Sequence, residues 1–333
     1  MKITLKYILI SLSVIIVCGT FIYAVKEVRD QQRDYRTLFQ RYYHVYAPEL
    51  PDKIDFAGEK VPLDLFYVRE SLDREIVANT FTHSATILMF KRACRWFPVI
   101  EPVLKKNGIP DDFKFLALAE SNLSNVVSSS GAEGFWQFMK PTGQKYGLEI
   151  TDEVDERYNL EKSTEAACQY FLEAFQQYKS WTLVAASFNR GIDGVNKAIE
   201  KQHKTDYYNL FVVDETARYV YRILAMKQIY KNPVKYGFYL KQGDFYPPLN
   251  TYTVSVDSNI TDLPAFAEKQ KINYRVLREF NPWLRRYSLT NKPGKKYVLT
   301  LPMDGSLSWD VLKRNLPESE TFFNDTLKID LAK

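Results

Sequence analysis

Histidine and cysteine are scarce in this chain: its 333 residues hold three of each. His44, His83 and His203 lie far apart in sequence, and Cys18, Cys94 and Cys168 form no CxxC or Cys/His spacing. A zinc enzyme or a histidine-based triad is therefore not expected, and no metal or other cofactor is implied. Cys94 and Cys168 can pair in an oxidising compartment or stay as buried thiols, and the sequence leaves both open. A strong charge of one sign is also lacking. Forty-five Lys and Arg against forty Asp and Glu leave +5. No basic run is dense enough to track phosphates, so nucleic acid is not an expected partner. The mild basic excess suits an acidic surface or polymer. What the chain does have is apolar residues (46%) and aromatic rings (15%, with 23 Tyr and 21 Phe). That is enough for a real core, and the surplus rings either fill it or stack on flat ligand faces.

Residues 7–25 read YILISLSVIIVCGTFIYAV, with no charge inside the run. At ~1.5 Å per residue such a helix crosses ~30 Å of hydrocarbon. Lys2 and Lys6 precede it, which favours a cytoplasmic N-terminus and an exported body. A cleaved signal peptide is the rival, although no A-x-A-like site follows. A lipoprotein reading of Cys18 fails on Val17, where a small residue is required. The expected arrangement is an anchor in the inner (cytoplasmic) membrane with the rest in the periplasm.

The body divides by pattern. Residues 26–64 read as a lead-in helix to about 46 and then a Pro/Gly-rich extended stretch with Pro48, Pro51, Gly58 and Pro62. Residues 65–240 are helical by period, with breaks near Asn107-Gly108, Ser128 to Gly134, Lys140 to Gly147 and Asn189 to Gly194. Ala166, Ala167, Tyr170, Phe171, Ala174, Phe175 and Tyr178 make one apolar stripe, with Ser163 or Thr164 as its expected cap. Residues 250–303 change character, with β-like runs at Tyr252 to Val254 and Lys296 to Leu301 flanking a helical stretch from Leu263 to Phe280. The tail, 304–333, is polar. The fold class expected is mainly α, plus a small α+β module, preceded by one membrane helix.

The informative stretch is Gly108 to Gly147. Asp111 and Asp112 suit the positive first turn of a helix. Phe113, Leu116 and Glu120 then fall at i, i+3 and i+7, so Glu120 projects from the apolar face at the helix's C-terminal end. A carboxyl there is partly desolvated and its pKa rises, as a general acid working near neutral pH requires. The spacing alone equally allows a glutamate that ends a helix and reaches water.

The wider pattern resembles the family 1 lytic transglycosylases, which have a goose-lysozyme-like SLT fold, and within them the membrane-bound D type. Ala119-Glu120-Ser121 matches the Glu-Ser signature, and Gly131 to Met139 matches G-A-x-G-x-W-Q-F-M. Thr142-Gly143 with Tyr146-Gly147-Leu148, Asp155-Glu156-Arg157, Ser187 to Gly191 and Glu215 to Val220 match further blocks in family order. One departure stands at Ser187-Phe188, where the family has Ala-Tyr; that Tyr hydroxyl helps orient the sugar. The resemblance implies cleavage of peptidoglycan glycan strands between MurNAc and GlcNAc, with formation of 1,6-anhydroMurNAc and Glu120 as acid and then base. It implies substrate contacts for Ser128, which can also bond Glu120, and for Gln137, Met139 and Asn189. Tyr219 is expected to face the catalytic centre, and Glu215 to anchor its helix. Trp136 is read as core, Glu133 as a surface residue, and Asp152, Asp155 and Glu156 as a solvated turn with Arg157 bridging inward. Residues 250–303 resemble a LysM module, a β-α-α-β glycan binder, although Asp257-Ser258-Asn259-Ile260 replaces its usual G-D-T-L. Two rival functions remain: a hydrolysing muramidase of the same fold, and a non-catalytic glycan-binding envelope scaffold. Protein partners are not legible.

Overall fold

The structure, a computed structural model, describes residues 2–291 and 294–316; the expected tail from 317 onward lies outside the described residues, as do the side chains of Lys2 and Lys6. The N-terminal unit is a single helix, α1 (Lys2–Tyr42). The expected membrane run and lead-in helix form one continuous helix, because residues 26–42 contain neither glycine nor proline to stop it. Within the apolar run, Ser11 and Thr20 return their hydroxyls to the carbonyls of Tyr7 and Val17, at 2.9 Å each. The segment from Ile10 is long and apolar enough to cross a membrane.

The second unit begins at Pro48. The expected extended stretch holds a small hairpin, β1 (Asp55–Phe56) and β2 (Glu59–Lys60). Its turn residues Ala57 and Gly58 both have positive φ, the geometry that suits a two-residue hairpin. Helices α2 (Phe66–Phe81), α3 (His83–Lys106), α4 (Lys114–Ser121), α5 (Lys140–Lys145), α6 (Leu160–Tyr178), α7 (Trp181–Arg190), α8 (Ile192–Gln202) and α9 (Asp214–Lys231) follow. They bury one continuous apolar core that takes in Phe56, Phe113, Phe115, Trp136, Phe171 and Val220. The stripe on α6 is buried as expected, from Ala166 to Ala174. Its cap is Asn159, however, which accepts from Lys162 N; Ser163 and Thr164 sit inside the helix with their hydroxyls on the Leu160 carbonyl. Cys94 and Cys168 are buried free thiols, so the disulfide option falls.

The last part runs β3 (Thr251–Val256), α10 (Leu263–Lys269), α11 (Tyr274–Phe280) and β4 (Tyr297–Pro302), with β3 and β4 antiparallel from Thr251↔Pro302 to Val256↔Tyr297. The helical stretch expected over 263–280 is two helices, split at Lys271, which has φ +59°. Asn281 welds α11 to β4: its side chain donates to Thr300 O (2.7 Å) and accepts from Thr300 N (2.8 Å). Short α12 (Trp309–Leu312) closes the described chain.

This module is not a bead on a string. Val154 and Tyr158 belong to its apolar cluster, with Leu263, Leu277, Trp283, Leu284 and Tyr297. Asp155 N donates to Trp283 O (2.9 Å) and Arg285 N to Glu153 O (2.7 Å), a strand-like seam between the two parts. The Glu153 carboxylate accepts from Ser288 Oγ and Thr290 N, and Glu149 accepts from Tyr297 and pairs with Lys295.

A second anchor lies under the hairpin. Lys227 of α9 is buried and donates to Asp112 Oδ2 (2.6 Å) and to Asp55 O (2.7 Å), while Ala57 N donates to the same Asp112 oxygen (2.8 Å). Removing one member of a buried pair strands the other, at a cost of about 3–5 kcal/mol. Lys227→Met is therefore expected to lower the unfolding free energy by about that amount in urea titrations. A wild-type midpoint for the variant would show that the pair stabilises nothing.

Candidate active site

Helix α4 enters through a tight turn, Asp111–Phe113, rather than starting as α-helix at Asp111. Phe113, Leu116, Ala117 and Leu118 are fully buried, which fixes the rotation of the helix. Glu120 therefore emerges at its C-terminal end, half-buried and facing α9. The chain leaves by Asn122 and Leu123, both left-handed (φ +49° and +52°). Asn tolerates that conformation and ends the helix.

Tyr219 of α9 donates its hydroxyl to Glu120 Oε1 at 2.6 Å. Burial pushes the Glu120 carboxyl up to about 7; the Tyr219 bond and the Arg222 charge pull the other way, and nearby Glu215 adds to the rise. Tyr219 is itself buried, and burial together with the adjoining carboxyl holds its own pKa well above the usual phenol range. It remains a donor at any working pH. Glutamate and phenol thus form one unit in which the proton on Glu120 is available near neutrality.

Ser121, next along, is buried and donates to Phe135 O (2.8 Å) and to Ala117 O (3.1 Å). That bond ties the end of α4 to the segment 131–139. The same segment is held from below by Arg157, whose guanidinium pairs with Asp155 (2.7 Å) and Glu133 (3.0 Å) and donates to Phe138 O and Gly131 O. Gly134 is obligatory there: a Cβ on it would lie 2.1 Å from the Arg157 carbonyl. Glu133 is thus no surface residue but a partly buried partner of Arg157. Asp155 and Glu156 are buried rather than solvated, because Arg157, Lys162 and the module's backbone take them up; Asp152 alone of that run is exposed.

The remaining expected residues fall as follows. Ser128 accepts from Ala132 N (2.9 Å) and shares a bond with Ser130, so it shapes its loop and makes no bond to Glu120. The Gln137 amide nitrogen donates to Val126 O and Gly134 O, and φ is +49° there. Met139 is 42% exposed, so core packing does not explain it. Asn189 accepts from Thr216 Oγ1 (3.0 Å), joining the end of α7 to the start of α9. Glu215 is exposed and acts on Glu120 through its charge. Trp136 is core, with its indole N–H on Thr164 (2.9 Å). Phe188 lies edge-on to Trp136, Phe138 and Tyr170, in an aromatic cluster beneath the segment 131–139. Sequence reasoning missed Arg222 and the buried Glu75 facing it from α2. The only available signal was that a charged residue recurs on a face of α9 that also carries Tyr219.

The sequence model of the Transglycosylase SLT domain matches residues 97–211, and that of the Soluble lytic transglycosylase C-terminal LysM-like domain matches residues 252–305. Membrane-bound lytic murein transglycosylase D of Escherichia coli strain K12 is 28% identical over 238 residues, which is 70% of this chain and 51% of that protein. The protein of the same name from an Escherichia coli O6:H1 strain matches equally. The chain spans about half the length of these curated relatives.

The raised carboxyl makes a prediction that needs no substrate. A folded-state pKa of about 7 against 4.5 unfolded stabilises the fold fully below pH 4.5, and that stabilisation is lost as pH rises through 7. Glu120→Gln removes the dependence. Urea unfolding from pH 4.5 to 8.5 is expected to show the variant gaining on wild type with pH, by at most about 3 kcal/mol. Parallel curves would mean that Glu120 titrates normally. The chain carries a Transglycosylase SLT domain joined to a LysM-like C-terminal domain, the two matched parts packed together through the segment from Glu149 to Tyr158.

Proposed function

We propose that the protein is a peptidoglycan lytic transglycosylase that cuts the β-1,4 bond between MurNAc and GlcNAc and leaves 1,6-anhydroMurNAc. One observation carries the reading: a single half-buried glutamate, poised near pH 7 by burial and held by a buried phenol, inside an SLT domain. Protonated Glu120 donates to the glycosidic oxygen as the bond to C1 breaks, and positive charge develops at C1. The substrate's own N-acetyl group assists from below, in place of the second carboxylate of ordinary glycosidases. Ionised Glu120 then takes the proton of the C6 hydroxyl of the same MurNAc, whose oxygen closes on C1. Protons balance, and water is not consumed. Proton transfer of this kind contributes ~10²–10⁴-fold, and holding the sugar in place contributes much of the rest. Tyr219 keeps the carboxyl aimed through both steps.

The walls supply the positioning. Met139, exposed beside the segment that Ser121 grips, offers an apolar contact to the sugar. Gln137 has its amide nitrogen committed to the backbone, and on this reading its amide oxygen meets the sugar. Ser128 and Asn189 shape the two loops from which substrate is contacted. The LysM-like module adds a glycan-binding surface of its own. The apolar run of α1, with Lys2 and Lys6 ahead of it, anchors the chain in the cytoplasmic membrane and places the catalytic domain in the periplasm, where the polymer lies. The relatives' printed name, membrane-bound lytic murein transglycosylase D, supports both parts of this reading.

Glu215 favours a second reading. It is an exposed carboxylate whose charge reaches Glu120, and a water activated by it would make the enzyme a hydrolysing muramidase. Mass spectrometry of fragments released from purified peptidoglycan separates the two. The expected products are lighter by one water than hydrolytic ones. Reducing-end products would install hydrolysis, and bound but uncut strands would make the protein a scaffold. Glu120→Gln is expected to abolish release while keeping strand binding; release at the wild-type rate would remove Glu120 from the chemistry.

A further inference from the structure

Helices α2 and α9 pack side by side, and Glu75 of α2 lies in that contact with 1% of its surface exposed. A buried carboxylate needs partners. Glu75 takes them from α9: Arg218 Nε donates to its Oε1 at 2.7 Å, and Arg222 Nε stands 3.8 Å from its Oε2. Arg74, its own neighbour, approaches Oε1 at 3.5 Å. Arg222 is the loosest of the three, and it is also the one arginine whose charge is felt at Glu120. It follows Tyr219 by three residues, hence on the adjoining part of the same helix face. The guanidinium thus pairs only loosely with Glu75, and its charge also reaches Glu120.

We propose that Glu75 is a positioning residue that holds Arg222 toward α2 and so withholds a guanidinium from Glu120. The inference rests on the reading of Glu120 as proton donor. An arginine paired directly with Glu120 would keep it ionised, and an ionised carboxylate cannot donate. The other polar groups around Glu120 do not supply that role. Tyr219 and Glu215 on α9 are neutral and negative. Arg92 of α3 is occupied with Asn122 O at the end of α4, and Glu133 on the segment 131–139 is taken by Arg157. At the end of α7, Arg190 bonds Gly194 O and Asn189 is neutral. Arg222 is the cation that has to be kept aside, and Glu75 is the buried anion that faces it.

A merely structural Glu75 would pin α2 to α9 and leave the titration of Glu120 alone. The full chain and its Glu75→Gln, Arg222→Gln and double variants separate the two. The readouts are the pH profile of kcat/KM on purified glycan strands and the carboxyl carbon signal of Glu120 in ¹³C-glutamate-labelled protein, assigned with Glu120→Gln. Glu75→Gln is expected to move the Glu120 midpoint down by about 1–3 pH units, the shift that a close opposite charge produces. The alkaline limb of kcat/KM should move with it, and activity at pH 7 should fall. The double variant is expected to return midpoint and limb to the wild-type position or above it. Arg222→Gln alone is expected to raise the midpoint, which keeps the idea testable if Glu75→Gln does not fold. An unchanged midpoint in Glu75→Gln, a downward shift that survives in the double variant, or no rise in Arg222→Gln overturns the proposal. If no protein in the series cuts glycan, the proton-donor reading fails, and the carbon signal still decides whether Glu75 governs Arg222.

Discussion

Glu120 and Tyr219 meet across the contact of α4 with α9, and the rest of the helical body can be understood as the means of holding that meeting. A carboxyl half out of water resists ionisation, and left to itself it would drag its helix toward solvent. Four apolar residues on α4 oppose this by burying the other side of the helix. The Tyr219 hydroxyl then returns one strong bond, at 2.6 Å, which limits the rise in pKa and fixes the orientation of the acid. The balance matters more than either part. Without burial the group would be an ordinary carboxylate at pH 7. Without the phenol it would be a proton reservoir with no fixed aim.

Support for this pair arrives through the backbone, not through contacts with Glu120 itself. Ser121 grips the Phe135 carbonyl, Arg157 grips the carbonyls of Phe138 and Gly131, and Asp155 grips Arg157. Asp155 in turn gives its own N–H to Trp283 of the module. A continuous chain of hydrogen bonds therefore runs from the wall of the site to the LysM-like domain. The module's Trp283 stacks on Tyr297, and Arg285 lies 4.2 Å from the centre of the Tyr158 ring. A glycan binder on a loose tether would need none of this. On the proposed reading, a strand held by the docked module would stand in a fixed relation to Glu120.

How much of this the sequence disclosed depended on the length scale of the signal. Helical period located the α6 stripe, and i, i+3, i+7 spacing placed Glu120 on the apolar face of α4, because both are properties of a few adjacent turns. The two strands and the helical stretch of the last module are legible for the same reason, while its division into two helices is implied only by the LysM resemblance. What stayed hidden was pairing between distant segments. The run Asp152 to Glu156 looks solvated in isolation, and only folding shows that residues 131–139 and the backbone from Trp283 to Thr290 converge on it. The pairing of Glu133 is hidden likewise, since its partner lies 24 positions on. The cap of α6 is locally ambiguous, because the side-chain oxygens of Asn159, Ser163 and Thr164 can each accept from the N–H groups of a helix start. The anchor run and the lead-in helix, both expected to be helical, join as one α1 because nothing between them stops the backbone.

The departure at Ser187-Phe188 can now be given physical content. Phe188 closes an aromatic cluster with Trp136, Phe138, Tyr170 and Phe171, and the added hydroxyl of Ser187 donates to Val184 O (2.8 Å) and accepts from the Tyr170 hydroxyl (3.3 Å). Tyr170 bonds the Ser187 carbonyl at 2.5 Å, so the end of α7 is anchored by a phenol from α6. A tyrosine at 188 would bring a second hydroxyl into a region already packed by rings. The acid does not depend on it, because Tyr219 already occupies Glu120 Oε1. On the proposed reading, the missing hydroxyl changes how a sugar is gripped beside the acid and leaves the acid's own proton chemistry intact. That separation of gripping from proton transfer is what a site built on one carboxyl requires. Its pKa is set by burial and by three groups on α9, the Tyr219 hydroxyl and the charges of Arg222 and Glu215.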